Sequence, residues 1–97
     1  MYAVILRYKR PLTEVDKHVE AHRAWLAEQY TAGHFLVSGP QRPRTGGFIL
    51  AAAMDRSQLD EILSRDPFNQ NDAADYEVID FAPVMTAQTL VFLQEKP

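Results

Sequence analysis

Two side chains in this sequence have the chemistry to move a proton between them and a ligand. His22 stands in Val19-Glu20-Ala21-His22-Arg23-Ala24-Trp25-Leu26, on the stripe that Val15, Val19 and Leu26 define at helical spacing. Imidazole titrates near neutrality, so modest burial or a carboxylate neighbour tunes it as a general acid or base. Asp66 stands in Ser64-Arg65-Asp66-Pro67-Phe68, where Pro67 forces a second helix to stop. A carboxylate beside an imidazole orients the ring and supports its positive charge. Taken singly, each residue has a plain alternative. A histidine on an apolar stripe is as readily a neutral core residue bonded to a backbone carbonyl, and Asp-Pro is a common helix stop. The pair acquires meaning if the fold brings both to one side of a sheet.

Other residues would complete a site. Ser38 in Ser38-Gly39-Pro40 would donate a hydrogen bond to a substrate oxygen, and Gly39 would let a ligand approach the backbone. Arg42 and Arg44, in a Pro/Gly-rich loop, would attract an anion, or else form a solvated loop. Trp25, Phe68, Tyr8 and Tyr76 would line an apolar pocket or fill the core. Arg7 and Arg23 are further candidates at its edge. His18 and His22 have the i, i+4 spacing of a metal pair, but no HExxH pattern accompanies them, and no metal is expected. There is no GxGxxG, P-loop or GxSxG, no cysteine, and no Ser-His-Asp order. The inventory therefore favours proton transfer without a cofactor over covalent catalysis.

Composition narrows the partners. Ninety-seven residues make one domain, too small to bury much more than roughly two-thirds of its unfolded surface, so a second copy would help. With 10 basic against 13 acidic residues the formal charge is −3, which gives no pull toward nucleic acid or membrane. The first apolar run, Tyr2 to Leu6, is too short for a signal peptide or a span, and a cytoplasmic location is the expectation.

The elements that must position these residues follow from patterning. Tyr2 to Tyr8 is β-rich and bounded by Lys9-Arg10-Pro11. Thr13 with Asp16 resembles a capping box that starts a helix ending at Gly33. His34 to Ser38 and Phe48 to Ala53 read as strands around the polar loop 41–47. Asp55 would cap a second helix with Leu59, Ile62 and Leu63 on one face, ending near Arg65. Asn69 to Asp75 reads as a polar connection and Tyr76 to Val84 as a last strand; Leu90 to Leu93 is apolar without alternation. The order βαββαβ predicts an α+β, ferredoxin-like fold: a four-stranded antiparallel sheet with two helices on one face. Both faces of the strands are apolar, which points to a homodimer packed sheet on sheet, with the tail 86–97 exchanged between subunits.

The chain resembles the YCII-related family. The resemblance runs through Ala21-His22-Arg23-Ala24-Trp25-Leu26, Ala32-Gly33-His34-Phe35-Leu36-Val37-Ser38-Gly39-Pro40, Gly46-Gly47-Phe48, Asp66-Pro67-Phe68 and Val78-Ile79-Asp80-Phe81. It implies a dimeric ferredoxin-like α+β barrel with a His–Asp site, which maps to His22 and Asp66. It also implies kinship with muconolactone-isomerase-type enzymes and with dehydrochlorinases of chlorinated aromatic degradation, which remove a proton and expel chloride without a cofactor. The apolar tail after Thr86 is longer than the family pattern. The expectation is a lyase or isomerase acting on a small oxygenated cyclic compound, such as a chlorinated hydroxyquinol or a muconolactone. His22 would carry the proton, Asp66 fix the tautomer and Ser38 hold a substrate oxygen. The alternatives are a non-catalytic metabolite-binding dimer or accessory pathway protein, and a monooxygenase-like barrel acting on quinols.

Overall fold

In a computed structural model, which describes residues 1–96, β1 (Tyr2–Tyr8) forms with the bounds its sequence predicts. It lies between two antiparallel neighbours in a four-stranded sheet of order β2-β3-β1-β4, with β2 Phe35–Pro40, β3 Gly46–Ala51 and β4 Ala74–Asp80. Strand side chains alternate between faces, so Tyr2, Val4 and Leu6 turn to one side and Ala3, Ile5 and Arg7 to the other. The first side is the core. There Val4, Leu6, Ile49 and Ala51 meet Val15, Trp25, Leu59, Leu63 and Phe68 from the helices. Full burial of each large side chain in this cluster contributes roughly 1.5–3 kcal/mol. This is the ferredoxin-like α+β arrangement, and no helix among the described residues is long and apolar enough to cross a membrane.

The first helical region is broken. It comprises α1 (Leu12–Val15), a 3-10 turn (Asp16–His18) and α2 (Val19–Thr31), because His18 at φ −114, ψ 0 leaves helical geometry. The capping box does not form. Pro11 is the N-cap and Thr13 already lies inside the first turn, where its hydroxyl cannot reach the free N–H groups. Gly33 closes α2 at φ +79, in the left-handed region that glycine takes without strain.

β2 runs two residues beyond its predicted end and carries a register shift between Phe35 and Val37. β3 starts two residues early. Its Gly46 lies so close to β1 that a Cβ there would sit 1.8 Å from the Leu6 carbonyl oxygen. α3 (Arg56–Ser64) stops as Pro67 demands, but the expected polar connection is in part a further helix, α4 (Pro67–Gln70), with Asp66 as its N-cap. β4 accordingly begins at Ala74 and ends at Asp80, before the proline at position 83.

The sheet's other face carries Ile5, Val37, Phe48, Leu50 and Ile79, of which Val37 is 54 % and Phe48 38 % exposed. The tail forms a 3-10 helix, Gln88–Leu93, and folds back on its own chain: the Gln94 side chain donates to the Val84 carbonyl and the Glu95 N–H to that of Pro83. Pro97, the last residue of the predicted exchanged tail, lies outside the described residues.

Candidate active site

The site begins with a helix cap. Asp66 is extended (φ −62, ψ 124), and its Oδ1 accepts the Phe68 N–H at 3.0 Å, the bond that starts α4. The same oxygen lies 2.7 Å from His22 Nδ1. The other oxygen, Oδ2, accepts the Tyr76 hydroxyl at 2.5 Å. Asp66 is fully buried, so every bond it makes is to protein.

These contacts fix proton positions. The Phe68 N–H can only donate. Burial, and then the adjacent Asp66 charge and hydrogen bond, push the Tyr76 hydroxyl well above the ordinary tyrosine range, so it stays protonated and donates. Both carboxylate oxygens are thus acceptors, and His22 Nδ1 supplies the third donor. That leaves Nε2, the ring nitrogen turned away from the carboxylate, as the one free to meet a ligand. His22 Nε2 has no hydrogen-bond partner among the described residues, and the ring borders a cavity of about 370 Å³. The ring is further held by Phe68, stacked at 4.0 Å and 9° between planes, with Trp25 at 5.6 Å. The backbone carbonyl foreseen for a merely structural histidine is replaced by a carboxylate.

Of the predicted binding residues, Ser38, Gly39 and Phe68 line this cavity with His22, while Asp66 sits behind the imidazole. The register shift in β2 decides the placement of Ser38. Phe35 opposes Ala51 and Ser38 opposes Ile49, so both reach the core side although they stand three positions apart. The Ser38 hydroxyl is bonded to that of Tyr30. Trp25 is buried behind His22 and does not line the cavity; its Nε1 has no partner among the described residues. Arg42 is exposed on the β2–β3 loop, outside the lining, and Arg44 takes the inward position instead. Arg7 lies on the opposite sheet face, paired with Glu77 at 2.8 Å, because odd positions of β1 turn away from the helices.

Sequence reasoning missed two participants. Tyr76 reads from the sequence as a pocket or core ring and not as a partner of Asp66; its phase on β4, shared with Ala74 and Val78, marks it as inward. Asp16, treated as part of a cap, borders the cavity and pairs with Arg44 at 2.7 Å.

The family model for the YCII-related domain matches residues 1–82. The chain belongs to the YCII-related family. None of the curated proteins matches it. Among solved structures it is similar to the 5-chloro-2-hydroxyhydroquinone dehydrochlorinase of Burkholderia phenoliruptrix AC1100, determined in complex with 2,5-dihydroxybenzoquinone. That likeness has a TM-score of 0.70 at 22 % identity and covers 84 % of this chain and 93 % of the other, so it establishes a shared fold.

Proposed function

We propose that this YCII-related protein is a cofactor-independent acid–base enzyme, a lyase of dehydrochlorinase type or an isomerase. Its substrate is a small oxygenated ring such as a chlorinated hydroxyquinol or a muconolactone. The observation that carries the reading is the 2.7 Å contact between His22 Nδ1 and a buried carboxylate, which leaves Nε2 unpartnered beside a cavity. In the elimination, Nε2 takes a proton from the substrate. The released electron pair forms the new double bond, and chloride departs with the pair of the broken carbon–chlorine bond. In the isomerisation, the imidazolium returns the proton to another carbon. Asp66 stays ionised throughout, holds the tautomer and supports the charge. Ser38 would bind a substrate oxygen.

The enzyme works as a homodimer in this reading. The apolar sheet face of Val37, Phe48 and Ile79 is left exposed by the described residues, and a second copy supplies a cover. The dehydrochlorinase of like fold supports the reaction class, and its quinone ligand supports a ring-shaped substrate.

The test is chloride release and absorbance change across a panel of chlorinated hydroquinols and muconolactones, with His22→Ala measured beside the wild type. A fall of about 10²–10⁴ in kcat/KM is expected for removal of a single general base. Undiminished turnover by a folded His22→Ala protein would sink the mechanism. Ligand-induced thermal shifts without turnover of any compound would instead make the protein a binding module.

A further inference from the structure

The charged groups around the cavity do not follow the charge of the chain. Overall the protein carries a formal charge of −3, yet the cavity is bordered by Arg23 and Arg44 against one carboxylate, Asp16. Asp66 is buried behind the imidazole with a donor on each of its oxygens and does not reach the cavity wall. On a negative molecule, two guanidinium groups and one carboxylate therefore face the cavity. Most other cations are paired: Arg7 with Glu77, Arg56 with Asp60, Arg10 with Asp72. Arg23 has no ion pair among the described residues, although it sits next in sequence to His22.

Arg44 is held by more than its ion pair. Its guanidinium lies 5.6 Å from the centre of the Tyr8 ring, and Tyr8 itself borders the cavity. An aromatic face fixes the plane and position of a guanidinium without using its N–H groups. One of those groups meets the Asp16 carboxylate, whose side chain is 55 % exposed on the 3-10 turn before α2. A half-solvated ion pair of that kind contributes little to folding and exchanges readily. A ligand carboxylate offering two oxygens to the guanidinium would replace it with a stronger, geometrically matched contact.

We infer that the substrate carries a carboxylate, which Arg44 binds in place of Asp16 while Arg23 adds its charge. This deepens the acid–base reading and rests on it for the word substrate, but the anion site stands on separate residues. It favours ring acids, the lactone-acid class, over neutral chlorinated phenols.

The experiment is calorimetric binding of 4-hydroxybenzoate and 4-hydroxybenzamide, rings of equal shape that differ in charge, to the full chain and its variants. The wild type should bind the benzoate about tenfold more tightly than the benzamide, roughly 1.4 kcal/mol. Arg44→Gln should erase that preference and leave the benzamide affinity unchanged. Asp16→Asn, which frees Arg44, should increase it. Equal affinity for the two probes in the wild type, or no benzoate binding at millimolar concentration, overturns the proposal. So does a preference that survives Arg44→Gln and Arg23→Gln. If 2,5-dihydroxybenzoquinone responds to Arg44→Gln and the benzoate does not, the anion recognised is a ring oxyanion and the carboxylate assignment fails. His22→Ala should keep the preference, and a wild type that binds the benzoate but turns over no compound of the panel would refute the acid–base mechanism without touching the anion site.

Discussion

Asp66 collects donors from three elements: the Phe68 N–H of α4, the His22 ring of α2 and the Tyr76 hydroxyl of β4. Removing one donor strands a buried carboxylate oxygen. Tyr76→Phe should therefore lower stability by roughly 1.5–3 kcal/mol, the range for a bond to a charged group, read as a shift in the urea midpoint at neutral pH. The tyrosine also sets a pH dependence. Its folded pKa is raised above the ordinary 10.0, so its contribution is complete below that value and declines as pH rises past it. The deficit of the phenylalanine variant should thus narrow in alkali, and an unchanged neutral midpoint would show that the hydroxyl is dispensable. At this scale His22 and Asp66 were legible in the sequence, from their positions on an apolar stripe and before a proline. The hydroxyl of Tyr76 was not, since a tyrosine with inward phase on a strand is equally a core ring.

Between elements, Gly46 of β3 leaves no room for a side chain against β1. Gly46→Ala places a methyl group into the Leu6 carbonyl, and the strand must shift to admit it. A loss of about 3 kcal/mol or more is expected. Gly33→Ala, which meets no atom within 4 Å but must hold φ +79, should cost only about 1 kcal/mol. Thermal melts of the two variants check the ranking, and equal midpoints would contradict it. The sequence announced β1, α3 and the stop at Pro67 because each rests on local alternation, periodicity or sterics. It concealed the break at His18, the short helix α4 and the register shift in β2. The break places Asp16 beside Arg44, and the shift places Ser38 in the cavity. Both depend on how neighbouring elements pack, which local pattern does not record.

For the whole molecule, one face of the sheet is sealed by helices and the other offers Val37, Phe48 and Ile79 to solvent. If a second copy covers that face, Phe48→Asp should convert a dimer into a monomer, because an unpaired charge would be buried at the contact. Sedimentation velocity on wild type and variant distinguishes the states, and a monomeric wild type would end the dimer reading. The apolar character of both faces was plain from strand composition. Which residues lie on which face was decided by register: Arg7, grouped with the site on sequence grounds, belongs to the uncovered side.

The chain's βαββαβ framework, its family and the candidate pair His22 and Asp66 follow from sequence alone, because strand alternation, helix periodicity and an Asp-Pro stop are local effects. The contact between His22 and Asp66 across forty-four positions, the hydroxyl that holds the second oxygen, and the exchange of Arg42 for Arg44 at the cavity are tertiary facts. They depend on where α2, α4 and β4 meet and on a one-residue irregularity in β2. A single slip in a strand turns a side chain to the other face, and no local propensity reports it.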